Sequence, residues 1–194
     1  TYDIITDECR GGVYGFNLEG TKSDPSHVGT HNRGGMIVDV IVHGRAAHSG
    51  AEPEKGRSAI IELAHQIIKL SALSDLQAGI HVNCGMIKGG TSENIIPDRA
   101  TTSLGVRFRT NQQRDRLLER IKLIAATPTI PDTTTTVKVR TKIDSMEETP
   151  AVNELFAELN QVAQQVGYGK LQAVGGGGAS DAGIMAARDV PTID

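Results

Sequence analysis

The chain has 194 residues, 38% of them hydrophobic, a formal net charge of -3, no Trp, three Phe and three Tyr. Net acidity and so few rings argue against a nucleic-acid platform, which wants a basic groove with stacking side chains, and no apolar run approaches the roughly 20 residues that cross a bilayer. The length holds one large domain, or one domain with pieces of another, around an aliphatic core; Cys9 and Cys84 offer neither a disulfide framework nor a paired metal-thiolate spacing.

Residues 1–35 are glycine-rich and polar with little periodicity. Met36, Val38, Val40 and Val42 then alternate as a strand, and Ile60, Ile61, Ala64, Ile67 and Ile68 repeat at helical spacing. Ile80, Val82, Cys84 and Met86 predict a second strand, Thr102 to Phe108 a third. Leu117, Leu118, Ile121, Ile124 and Ala125 share one face of a second helix, and Val137 to Ile143 alternate as a fourth strand. The order β-α-β-β-α-β is the split, ferredoxin-like arrangement. Two helices on one sheet face explain the alternation, and leave His81, Asn83, Arg107, Arg109, Lys138 and Arg140 on a wet or partner-covered face. An open strand edge makes a dimer plausible. A helix over 150–166 follows, with Pro150 in its first turn; then come the Gly175–Gly178 run, a short helical stretch to Arg188 and the apolar end Val190–Ile193. The chain thus divides into 1–35 and 148–194, flanks of one domain, and 36–147, an insert.

Four places carry chemistry. His48, in the Gly44–Pro53 loop between a strand and a helix, can reach outward to a ligand or simply be solvated. Asn94, in the Gly89–Asp98 connection, offers a donor and an acceptor, or serves only as a turn residue. Arg107 can fork a carboxylate or lie solvated on the outer sheet face. The glycine run ahead of Ser180-Asp181 either exposes N–H groups to an anion or is a connector with Ser180 or Asp181 as a cap. Glu19, after a short apolar stretch, sits where a carboxylate binds a metal in an open α/β sheet, although a lone acid is often just surface.

Gly44-Arg45-Ala46-Ala47-His48-Ser49-Gly50-Ala51-Glu52-Pro53, Gly89-Gly90-Thr91-Ser92-Glu93-Asn94-Ile95-Ile96-Pro97 and Gly176-Gly177-Gly178-Ala179-Ser180-Asp181-Ala182 together resemble, in order and spacing, one family. It is the dinuclear zinc peptidase and amidohydrolase family of glutamate carboxypeptidase, aminoacylase and succinyl-diaminopimelate desuccinylase, and the resemblance runs from about Phe16 onward. It implies an α+β protein: a ferredoxin-like lid, or dimerisation, domain inserted in an α/β catalytic domain that binds two zinc ions. The substrate it implies is a peptide or N-acyl amino acid, cleaved at an amide beside a free carboxylate, in a cytoplasmic homodimer. By resemblance His48 stabilises the oxyanion in the partner's site, Asn94 and Arg107 bind the substrate carboxylate, Gly176, Gly177 and Gly178 line the substrate loop, and Glu19 is a terminal zinc ligand.

The departures limit that picture. The family's His-x-Asp motif, bridging aspartate and Glu-Glu pair precede the lid and are not in this sequence, nor is the final zinc histidine. Gly105 stands where an acid usually lies two residues before the arginine. The expectation is therefore a fragment, inactive alone, whose intact parent is the enzyme; the alternative is a non-enzymatic ferredoxin-like dimerisation or carboxylate-binding module.

Overall fold

Alternation decides which way the larger sheet faces, and glycine decides how closely the smaller strands approach. A computed structural model describes residues 2–18 and 24–194. In chain order it holds α1 (Tyr2–Glu8), β1 (Gly15–Phe16), β2 (His27–Asn32), β3 (Gly34–His43), β4 (Ala47–His48), α2 (Ala59–Ser71), β5 (His81–Gly89), β6 (Ile95–Ile96), β7 (Arg99–Phe108), α3 (Asn111–Ala126), β8 (Thr134–Ile143), α4 (Pro150–Gln165), β9 (Gln172–Gly176), α5 (Ala182–Ala186) and β10 (Thr192–Ile193). Two compact units result: Met36–Arg107 with Gln112–Lys142, and Thr1–Gly35 with Phe108–Asn111 and Ile143–Asp194.

The first of these is the α+β insert, a four-stranded sheet in the order β5-β7-β3-β8. Met36, Val38, Val40 and Val42 of β3 and Ala100, Thr102, Leu104 and Val106 of β7 are all buried, because period-2 alternation turns them to one face. Each large aliphatic side chain sunk there contributes about 1.5–3 kcal/mol. Leu63 and Leu70 of α2 and Leu117, Ile121 and Ala125 of α3 are buried with them.

Both α2 and β5 differ from their periodicity. The apolar positions of α2 predict Ile60, Ile61, Ala64, Ile67 and Ile68 as its core face. Instead Ala59, Glu62, Leu63, Gln66 and Leu70 are buried, while Ile61 and Ile68 are 49% and 70% exposed. The reason is a polar anchor: the Glu62 carboxylate accepts from the Thr129 and Ile130 N–H groups (2.8 and 2.6 Å) and from the Gln66 amide (2.8 Å). These bonds turn Glu62 inward and rotate the isoleucines out. In β5 the register against β7 shifts between Cys84 and Met86, a bulge at Gly85 that sends Met86 out of the predicted alternation.

The second unit is built on β1 parallel to β10 and β2 parallel to β9. The described part of residues 1–35, which show no clear pattern in sequence, contains α1, β1, β2 and the start of β3; β1 and β2 exist through pairing with segments far along the chain. The hydroxyl of Thr149 caps α4 by accepting from the Val152 N–H (3.2 Å). Val152 and Leu155 of that helix pack with Ile193, Val28 and Leu159.

Candidate functional site

In the insert, the short antiparallel pair β4·β6 sets His48 opposite Ile95, and the Ser49 N–H donates to the Asn94 carbonyl (2.9 Å). The structure therefore brings His48 and Asn94 together, both exposed. The Gly50 and Ala51 N–H groups both donate to His48 Nδ1 (3.1 Å each). An imidazole nitrogen that accepts carries no proton, so the neutral ring holds its hydrogen on Nε2, facing away from the loop's own backbone donors. Asn94 is polarised likewise: its Oδ1 accepts from the Ser92 hydroxyl (2.6 Å), which leaves the amide N–H groups to donate. The pair thus presents an imidazole Nε2–H and amide N–H groups as donors.

The stems of the His48 loop are clamped from outside it. Arg45 and Arg57 exchange backbone hydrogen bonds (2.9 Å both ways), and both guanidinium groups meet the Asp132 carboxylate (3.5 and 3.1 Å). Gly44 lies so close to the Arg57 carbonyl that no Cβ fits. Asp132 belongs to the loop whose backbone Glu62 holds, so the buried carboxylate of α2 steadies the His48 loop through Asp132. Arg45, Arg57 and Asp132 leave no local signal in sequence, since even Arg57 and Asp132 meet across 75 positions.

Arg107 is not with them. The Gly44 N–H donates to the Asp98 carbonyl (2.8 Å), so the carboxyl end of β3 lies beside the amino end of β7. At the opposite end, Gly34 stands against the Phe108 ring. Arg107, paired with His81, is thus at the end of β7 remote from Asn94, roughly 27 Å from Arg99 at about 3.4 Å per residue.

In the second unit the residues at the carboxyl ends of its four strands are linked. Asn17, after β1, donates its amide to Asp194 Oδ1 (2.7 Å); Asp194 follows β10. Asn32, closing β2 and buried, donates to Asp194 Oδ2 and to Ser180 Oγ (3.2 Å). Asn32 is paired with Gly176, the last residue of β9. Carboxyl ends of parallel strands are where open α/β sheets bind ligands. Beside this network lies a cavity of about 470 Å³, lined among others by His31, Arg33, Arg109, Glu148 and Gly175–Gly177; His31 Nδ1 lies 3.7 Å from Glu148 Oε2.

The glycines divide into two kinds. A Cβ on Gly175 would collide with the His31 ring, and one on Gly176 with the Asn32 amide, whereas Gly177 and Gly178 have open space around them. Gly176 is thus required by strand packing, and Gly177 and Gly178 are the free part of the loop. Asp181 stands at the N-cap of α5 without a capping side-chain bond, while the Ser180 hydroxyl accepts from the Ala182 N–H (3.2 Å). Asn17, Asn32 and Asp194 carry no recognisable sequence signal beyond their place at the ends of strands too short to identify from pattern.

Glu19 lies outside the described residues. Among the described residues no three His, Cys, Asp or Glu side chains converge as a metal site, so they do not supply the ligand set for the two zinc ions that the resemblance implies. Also among the described residues, no helix is long and apolar enough to cross a membrane.

Residues 30–133 match the family model described as the peptidase dimerisation domain, and the chain belongs to that family. Over 200 residues, 99% of this chain and 46% of the relative, it is 26% identical to carboxypeptidase G2 of Pseudomonas sp. (strain RS-16). It is 32% identical over 89 residues, 45% of this chain and 21% of the relative, to a p-aminobenzoyl-glutamate hydrolase homolog of Haemophilus influenzae. The fold is shared with aminopeptidase PepT from Bacillus cereus ATCC 10987, at a TM-score of 0.77 and 22% identity over 99% of this chain and 52% of that one. The chain spans less than half the length of these two curated relatives.

Proposed function

We propose that the intact protein is an exopeptidase or amidohydrolase that cleaves an amide bond beside a free carboxylate, most like a glutamate carboxypeptidase, and that this chain contributes its lid and part of its catalytic domain. The observation that carries the proposal is the donor pair: His48 with its Nε2–H free and Asn94 with its amide N–H groups free, the first on β4 and the second just before its partner strand β6. An amide carbonyl under attack develops negative charge on oxygen, and donors already oriented for that charge lower the barrier without reorganising. His48 serves that oxyanion, and Asn94 holds the substrate carboxylate. Arg107 also binds the substrate carboxylate, and Gly177 and Gly178 line the substrate loop, with Gly176 setting that loop's base. The zinc ions implied by the resemblance, with Glu19 as one ligand, would polarise the carbonyl and activate water; their other ligands lie beyond the residues described.

The separation of Arg107 from His48 and Asn94 along β7 supports a homodimer in which one site draws Arg107 from one subunit and His48 and Asn94 from its partner. The exposed isoleucines of α2, next to the edge strand β5, form the apolar surface for that pairing. Subunit mixing tests it. In the intact protein His48→Ala and Arg107→Ala should each depress hydrolysis of an N-acyl-glutamate. Mixed dimers of the two variants should recover activity, since one of their two sites then has both residues. No recovery, with dimers forming normally, overturns action in trans; an unchanged turnover in His48→Ala overturns the oxyanion role.

A further inference from the structure

The outer face of the insert's sheet carries a groove that the proposed chemistry does not use. Its volume is about 240 Å³. Period-2 alternation that buries Ala100, Thr102 and Leu104 turns Arg99, Thr101 and Ser103 of β7 to this outer face, and Lys88 of β5 is paired with Thr101. Arg140 of β8 reaches across β3, where its Nε meets Asp39 Oδ2 at 2.7 Å, and its Nη2 donates to Ser103 Oγ at 2.8 Å.

The charges here do not balance. Among the described residues Asp39 is the one acid lining the groove, and it is matched by Arg140. The side chains of Lys88 and Arg99, both exposed, have no hydrogen-bond or ion-pair partner among the described residues. The lining therefore carries two surplus positive charges in a protein whose net charge is -3. Ser103 accepts from Arg140, so its own hydroxyl hydrogen remains available, and Thr101 adds a second hydroxyl. Two unpaired cations beside two hydroxyl donors suit a ligand with two negative charges; Ile41 and Met86 in the lining suit one with a short apolar segment between them. A monoanion would leave one cation unmatched.

We infer that this groove is a binding site for a small dianion, carried by Lys88 and Arg99 with Thr101 and Ser103, separate from the His48–Asn94 pair. The inference does not rest on the proposed hydrolase activity.

Amide-resolved NMR titration of this chain with glutarate, inorganic phosphate and butyrate tests it. Saturable shifts centred on Lys88, Thr101 and Ser103 should appear with a dianion and be at least about tenfold weaker with butyrate, since each lost charged hydrogen bond costs about tenfold in affinity. Stronger binding of glutarate than phosphate assigns the dianion as a dicarboxylate; the reverse assigns a phosphate. Lys88→Gln and Arg99→Gln should each weaken binding about tenfold while leaving the rest of the spectrum in place, as both side chains are exposed. Shifts spread evenly over all surface cations, butyrate binding as well as glutarate, or full binding in the Lys88→Gln, Arg99→Gln double variant would each overturn the inference.

Discussion

Glu62→Ala tests the anchoring of the His48 loop most directly. The side chain is fully buried, and its carboxylate accepts three hydrogen bonds, from Thr129 N–H, Ile130 N–H and the Gln66 amide. A hydrogen bond to a charged group contributes about 1.5–3 kcal/mol net, and the two loop amides, only partly buried, regain part of that from water in the variant; about 3 kcal/mol should be lost. Glu62→Gln is the informative control. It keeps an oxygen for the loop, and its new amide can pair with Gln66 Oε1, which has no partner among the described residues, so it should cost about 1 kcal/mol. Urea unfolding followed by far-ultraviolet circular dichroism reads the global loss. Amide exchange reads the local one: Thr129 and Ile130 should exchange faster in the alanine variant, with faster exchange at Arg45 and Arg57 because Asp132 loosens with its loop. A glutamine variant as unstable as the alanine one, or an alanine variant within about 1 kcal/mol of the parent protein, refutes the anchor.

His48→Ala in the intact protein should lower kcat about a hundredfold or more with little change in KM, as expected for a donor that meets charge only in the transition state; steady-state kinetics checks it. Nitrogen chemical shifts of the neutral His48 ring should show Nε2 protonated and Nδ1 bare, and the opposite tautomer contradicts the Gly50 and Ala51 bonds. Gly176→Ala should unsettle the second unit because its Cβ meets Asn32, whereas Gly177→Ala, in open space, should leave the melting temperature unchanged. The Asp24 carboxyl is held below its ordinary range by the Ser26 N–H and then the Ser26 hydroxyl. Its turn is therefore fully supported above the ordinary carboxylate range and loses that support as pH falls through the depressed value; a carboxyl NMR titration midpoint at or above the ordinary value refutes it.

What the sequence determined by itself is local. Three loops set their candidate groups in adjacent residues, so His48, Asn94 and the glycine run could be proposed from sequence, and simple alternation placed β3 and β7 because their inner positions are almost all aliphatic. Where a buried polar residue serves as an anchor, periodicity misleads. Glu62 and Gln66 face inward because the loop at 129–130 needs acceptors, and Ile61 and Ile68 face outward as a consequence. The bulge at Gly85 likewise depends on β7, not on β5 alone. Only the tertiary structure set His48 beside Asn94, moved Arg107 to the far end of its strand, and joined Asn17 to Asp194 across 177 positions. The reason is physical: hydrogen-bond partners distant in the chain leave no trace in the spacing of residues, and which donors remain free is decided only once the fold has used the others.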